Sequence, residues 1–292
     1  MIMHFWKLFI LILLTMIAFA ANSILTRLAI SNNQLGPASF SFIRLISGSI
    51  VLIIIVIFRS GLPSIWKTKP NLTSILGLSF YMVGFHFAYN SLDAGLGAIV
   101  LFGGVQLVMF TSTILSKEKT TAYNWVGMLL AMLGILILFF PTDLVISDQV
   151  FGLLLMLLAS LGWGIYSLSG RQSKDPIAST MSNFIFTIPI VSVVLILYPD
   201  SINFRYNGIL LAIFSGAIMS ALGYSLWYAI LPFLERPVAS LVQLFVPVIA
   251  LILGMIILDE KLTYLSFFSS LLIIGGISLG IFSDSFKKRF IK

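Results

Sequence analysis

Gln243–Thr263, QLFVPVIALILGMIILDEKLT, is an apolar run with a proline near its start and a charged knot, Asp259-Glu260-Lys261, at its end. It has an echo 142 residues earlier: Leu101–Thr121, LFGGVQLVMFTSTILSKEKTT. Glu118 falls on Glu260, Lys119 on Lys261, Thr121 on Thr263 and, further on, Gly134 on Gly276. A chain of 292 residues that repeats itself at about half its length reads as two copies of one unit.

Composition names the solvent. Hydrophobic residues make up 59% of the chain and charged ones 9%, with a mean hydropathy of +1.10. A soluble domain carries roughly 25% charged residues. So much apolar surface leaves too little polar surface to cover it, and the solvent must be lipid. The absence of cysteine excludes disulfides and thiolate chemistry.

A bilayer core of about 30 Å needs roughly 20 apolar residues per helix. Ten such spans are expected, at about 6–29, 37–58, 71–91, 94–116, 121–140, 150–171, 177–198, 207–231, 237–258 and 263–282. They are separated by breakers such as Gly36-Pro37, Pro70, Pro141, Pro176, Pro199 and Pro237. The first span mimics a cleavable leader, with Ala18-Phe19-Ala20 as an A-x-A site. Against cleavage, Ala18–Arg27 lines up with Gly162–Arg171, so the segment belongs to the repeat and is expected to be retained.

Counted by side, 13 Lys and Arg fall on one face of the membrane and 3 on the other, with Arg44 inside a span. This split sets both termini in the cytoplasm of a multi-pass cell (inner) membrane protein. The net charge of +7 is then explained by topology and anionic lipid, not by nucleic acid. Five spans per copy is an odd number, so the second copy enters from the opposite face. Inverted repeats with a site between them are a recurring transporter plan. The expected fold is an all-α integral membrane protein of ten transmembrane helices in two inverted five-helix repeats. Residues 1–140 form the first and 150–292 the second, which carries a basic cytoplasmic tail.

The order of motifs resembles the EamA-type families of the drug/metabolite transporter superfamily. Its marks are FAANSILTRLAI at 19–30, FIRLISG at 42–48, GLLLMLLASLGWGIYS at 152–167 and the long run from Gly223 to Thr263. Tyr224, Pro247 and Glu260 sit where these families usually have them, whereas Phe19 stands where tryptophan is common and Val105 replaces a possible proline. The resemblance covers nearly the whole chain. It implies a ten-helix carrier of small metabolites, often an exporter, and leaves the substrate open.

All ten acidic residues sit at span ends or in connections, so a proton relay through a mid-membrane carboxylate is not expected. Glu118 and Glu260 are read as structural, pairing with neighbouring lysines or completing a helix start. Arg44, about seven residues from the outer end of its span, is either an anchor for an anionic substrate group or a donor to helix-end carbonyls; family usage at FIRL points to the second. His86 shares a helical face with Tyr89 and Asn90, and Asn22 lies at a similar depth. These groups either meet a substrate or satisfy one another between helices. Gln106 and Gln243 must face protein or a water-filled cavity, because an unpaired amide in hydrocarbon is costly. Trp163 and Tyr166 on the sixth span and Tyr224, Trp227 and Tyr228 on the eighth could wall a cavity, with Trp163 and Tyr224 well inside their spans; ordinary packing is the alternative. Gly103, Gly104 and Pro247 are candidate hinges.

Two motifs are set aside. Gly276 to Gly280 matches the hydrolase G-x-S-x-G pattern but lies mid-span, where it reads as a small-residue packing face. Asn71-Leu72-Thr73 fits a glycosylation sequon on the cytoplasmic side. The reading is a secondary transporter, not an enzyme, without cofactor or metal, for an amino acid or similar amphipathic cargo moved by alternating access. The rival is a non-transporting lipid-binding or assembly subunit. Deep polar groups from both copies at one level argue for transport; a dry, fully packed centre argues for the rival.

Overall fold

The computed structural model of the chain describes residues 5–61, 68–115, 122–137, 147–171, 173–200, 204–234, 239, 242–243 and 245–290. Its helices are α1 (Phe5–Ser31), α2 (Pro37–Ser60), α3 (Leu72–Ala88), α4 (Ala94–Leu115), α5 (Ala122–Ile137), α6 (Ser147–Gly170), α7 (Pro176–Leu197), α8 (Tyr206–Phe214), α9 (Ala221–Ile230), α10 (Phe245–Ile257) and α11 (Tyr264–Phe290). A π-helical turn, Ser215–Ser220, joins α8 to α9, and a 3₁₀ turn, Leu231–Phe233, extends the rod. No strand occurs among the described residues. The protein is all-helical, and helices occupy the positions of the expected spans. Among the described residues, six stretches are long and apolar enough to cross a membrane: Trp6–Ser31, Pro37–Ser60, Ala94–Leu115, Asp148–Gly170, Pro176–Leu197 and Tyr206–Phe233.

Local chemistry explains where helices begin. Pro37 and Pro176 stand at the first positions of α2 and α7, where a missing N–H removes nothing. Asp175 caps α7 by accepting from Ala178 N (3.2 Å), and Asn71 caps α3 by accepting from Ser74 N (3.1 Å). The sequon asparagine is thus a helix cap. α2 stops at Gly61, whose φ of 77° lies in the left-handed region that glycine adopts without strain.

The most extensive interfaces each join an early helix to a late one: α3 on α6, α5 on α11, then α2 on α7 and α4 on both α6 and α10. α1 lies against the α8–α9 rod and α10. In lipid, tails are as apolar as leucine, so close backbone approach and dispersion must hold helices together. The α5–α11 contact shows this. A methyl on Gly276 would stand 2.6 Å from the Gly127 carbonyl of α5, and one on Gly134 2.9 Å from the Ser269 carbonyl of α11. The small residue in each helix seats the backbone of the other. Outside, Leu13, Ile54, Leu129, Phe186 and Leu222 are exposed, as a lipid-facing surface requires. The Ala18–Ala20 stretch lies inside α1 and is buried.

Candidate functional site

α2 carries the first charge into the core. Arg44, two turns past the start of the helix, is completely buried. Its Nε donates to Ser220 Oγ (2.7 Å) and Nη2 to the hydroxyls of Tyr224 (2.6 Å) and Tyr81 (3.4 Å), while Nη1 faces His86 Nε2 at 3.0 Å. The guanidinium carbon also lies 5.5 Å from the ring centre of Phe85, within cation–π range. The expected donation to helix-end carbonyls does not occur. Arg44 instead bonds four side chains, two of them from the α8–α9 rod.

A guanidinium has only donors, so the histidine nitrogen facing it must accept. His86 is therefore neutral, with its proton on Nδ1. That proton is shared between Met82 O (2.5 Å) and Ser41 Oγ (2.7 Å), and Ser41 donates to Pro37 O (2.9 Å). A chain of hydrogen bonds thus runs from the first turn of α2, through Ser41 and His86, to the buried cation.

No carboxylate among the described residues balances that cation. The ion pairs among the described residues are Arg27–Asp93, Arg27–Glu260 and Arg59–Asp175, and none reaches Arg44. A buried ion retains an effective penalty of several kcal/mol after relaxation. Hydrogen bonds from a charged group return roughly 1.5–3 kcal/mol each. Four neutral partners and three aromatic faces make the charge tolerable without neutralising it.

The π turn shapes the other side of the cluster. Ser220 donates to Ser215 O, five residues back (2.7 Å), and Ser215 Oγ donates to Asn22 Oδ1 (2.7 Å). Ser220 Oγ itself lies 3.4 Å from Asn22 Oδ1, so one hydroxyl stands between Asn22 and Arg44. Asn22 Nδ2 is buried with no hydrogen-bond partner. π turns of this kind are frequent at functional sites. Gly216 in the same turn lets α2 approach closely, since a methyl there would overlap Arg44 O and Ser47 Oγ.

Aromatic rings close the centre. Trp163 of α6 packs against Tyr224 (centroids 4.8 Å apart), Phe19 (5.1 Å) and Tyr81 (5.1 Å), and its Nε1 donates to Gln243 Oε1 (3.1 Å). Gln243 Nε2 donates to Ala239 O (3.3 Å). Tyr166 stacks on Trp163 and on Tyr228, whose hydroxyl donates to Tyr166 O (3.0 Å). All of these side chains are buried, so the centre is tightly packed in this conformation.

The expected site residues therefore divide. Asn22, Arg44, His86, Trp163, Tyr166, Tyr224 and Gln243 meet in one connected cluster from both ends of the sequence. Tyr89 is buried against Phe85, with its hydroxyl 3.4 Å from Ala94 O. Asn90 is exposed, and lines a cavity of about 470 Å³ with Asn33, Pro37, Phe87, Tyr198 and Asp200. Gln106 is buried on α4 beyond Gly104. Gly103 and Gly104 let α4 pack closely, against Ile273 of α11 and Ser160 of α6. Pro247 is buried in α10. Tyr81, Ser215 and Ser220 were not expected. Their signal was spacing: Tyr81 lies one turn before Phe85, and Ser220 one turn before Tyr224.

The end of the bundle beside this cavity is held by two long-range caps. Asp200 accepts from Ala38 N (3.2 Å) and Ser39 N (2.6 Å) at the start of α2. Glu260 accepts from Ala94 N (2.8 Å) at the start of α4 and pairs with Arg27 (3.5 Å). Arg27 also donates to Tyr89 O (2.8 Å). Glu260 thus completes a helix start, as expected, but that of α4, 166 residues away in sequence. Its partner is Arg27, not an adjacent lysine. Glu118 lies outside the described residues.

The EamA-like transporter family model matches residues 6–140 and again 150–282. The chain belongs to that family. A protein of Pseudomonas aeruginosa described as uncharacterized is 35% identical over 270 residues, covering 92% of this chain and 93% of its own. The uncharacterized transporter YoaV of Bacillus subtilis is 25% identical, covering 88% and 91%. A "probable amino-acid metabolite efflux pump" of Escherichia coli is 23% identical over 239 residues, covering 76% and 80%. A solved crystal structure shares the fold at a TM-score of 0.66 and 17% identity, covering 94% of this chain and 96% of its own. The family and its relatives make this chain a membrane transporter, and the polar cluster is to be read in that light.

Proposed function

We propose that the chain is a secondary transporter that exports small amphipathic metabolites, amino acids or compounds like them, by alternating access between two inverted five-helix repeats. One observation carries the reading: the Arg44 cluster draws on α1, α2 and α3 from one half of the chain and on the α8–α9 rod from the other. Polar groups this deep in lipid are expensive and mark substrate pathways. The rival, a packed assembly subunit, has a use for the tight centre but none for an unbalanced cation between its halves.

The repeat is supported by matched interfaces. α3 on α6 is mirrored by the α8–α9 rod on α1, and α4 on α6 by α10 on α1. Gly134 and Gly276, equivalent in the repeat, occupy reciprocal places in the α5–α11 contact. Arg27 donates to Tyr89 O at the end of α3, and Arg171 to Leu234 O beyond α9 (2.5 Å). On the charge split, both termini would lie on the cytoplasmic side of the cell membrane, and the Asp200 and Glu260 caps on the outer side. Gly103, Gly104 and Pro247 are the proposed hinges, with Gly103 and Gly104 also serving as contact points.

Ligand-induced thermal stabilisation across a metabolite panel, followed by vesicle transport of the best ligands, tests the reading. A small amphipathic metabolite should both stabilise and be transported. Stabilisation by lipids alone, with no vesicle transport, would favour the rival.

A further inference from the structure

We propose that the Arg44 guanidinium is the receptor for a carboxylate on the cargo, whose body is aromatic or apolar. The carboxylate would take over the bonds that Arg44 now makes to Ser220 and Tyr224. The proposal rests on the transport reading above and names the chemistry of its site.

Three observations converge. Arg44 is a fully buried cation, and no carboxylate among the described residues pairs with it. The guanidinium presents five N–H donors in a planar fork that matches a carboxylate's two oxygens. Four of its contacts are to neutral acceptors, which a charged oxygen would displace favourably. Next, Asn22 Nδ2 is a second buried donor with no partner, on the residue whose Oδ1 lies 3.4 Å from the Ser220 Oγ that Arg44 holds. Finally, the rings of Tyr81, Phe85 and Tyr224 flank the guanidinium, and Trp163 packs against Tyr81 and Tyr224. That wall suits a flat or apolar body.

The position of the displaced bonds adds a consequence. Arg44–Ser220 and Arg44–Tyr224 join α2 to the rod, and with it one half of the chain to the other. An arriving carboxylate that captures Nε and Nη2 releases both ties at once. His86 stays in place, because its bond is to Nη1. Cargo binding and loosening of the halves are then one event.

Four matched compounds test this on the unmodified full chain in lipid nanodiscs: phenylalanine, 3-phenylpropionate, phenylalaninamide and phenethylamine. The two acids should raise the unfolding temperature. The amide and the amine should bind roughly 10- to 100-fold more weakly, the range for losing a hydrogen-bonded charged partner. Arg44→Gln should erase the preference, while Tyr224→Phe, which removes a competitor for Nη2, should strengthen binding of the acids. Equal stabilisation by all four compounds, or an acid preference that survives Arg44→Gln in folded protein, overturns the anchor and leaves the transport reading standing. Weaker acid binding by folded Tyr224→Phe also counts against it. Should the four and the wider metabolite panel all fail to stabilise the chain, the cargo reading falls and the anchor with it.

Discussion

Arg44 Nη1 lies 3.0 Å from His86 Nε2, a contact between a permanent cation and an imidazole that must be neutral to accept from it. Removing the acceptor strands a buried donor, which costs about 1–3 kcal/mol. His86→Ala should lower unfolding stability by that amount and weaken transport at least severalfold. His86→Gln, which can place an amide oxygen near Nε2, should recover part of the stability. Thermal unfolding of the purified variants decides between them, and equal losses in both would show that the bond to Arg44 is unimportant.

The Asp200 cap holds the cavity end of α2. Asp200→Asn keeps the side-chain shape but weakens a charge-assisted bond to two backbone N–H groups, and loss of such a cap typically costs about 0.5–2 kcal/mol. The chain has no cysteine, so a single introduced thiol is a clean reporter. Ser39→Cys, at a buried position, should react slowly with a membrane-impermeant maleimide added outside. Adding Asp200→Asn should speed that reaction severalfold. An unchanged rate would mean the cap does not guard this end.

Glu260 lies in the connection after α10, where partial burial raises its carboxyl above the ordinary range, helped by nearby Asp93 and opposed by Ala94 N–H and Arg27. A carboxyl raised in the folded state favours its protonated form there. Its contribution to stability is therefore complete below the ordinary carboxylate range and is lost as pH rises through the raised value. Glu260→Gln should remove that loss. Unfolding midpoints across the acid range should fall less steeply with rising pH in the variant; parallel curves would contradict the assignment.

Trp163 joins the aromatic wall to Gln243. Trp163→Ala should impair transport of aromatic or apolar cargo more than of small polar cargo. Gln106→Ala should reduce transport severalfold with the folded protein still in the membrane. Both are read in vesicles at matched expression. Should both variants transport all cargo normally, the cargo path would run elsewhere.

Orientation has a direct check. Reporter fusions after Lys69 and after Lys292 should both report cytoplasm, and one after Val145 the outside. Opposite readings for Lys69 and Lys292 would break the inverted-repeat argument.

The spans were legible because long apolar runs end at proline and glycine, as Gly36-Pro37 before α2 and Pro176 at α7 illustrate. The depth of Arg44 and His86 was legible too, since each is a polar residue counted from a span end. Their contact was not, because it depends on the rotation of α2 against α3, which packing sets. The π turn left no mark in SGAIMS, a stretch as compatible with a regular helix. Asp200 and Glu260 were read near their own helices, whereas tertiary packing carried them to helix starts more than 160 residues away.

The layout of the interfaces also bears on how the protein is made. α3 has its largest partner in α6 and α5 has its own in α11, the last helix of the chain. With only α1–α5 made, the close-packing faces of α3 and α5 lack their partners α6 and α11, and Gly77 and Gly134 have no opposing backbone to receive. Arg44 at that stage has neither Ser220 nor Tyr224, and must keep water or headgroups about it. The early helices are thus inserted before they are packed. The main contact of α5, with α11, can therefore form only after the last described helix has been made.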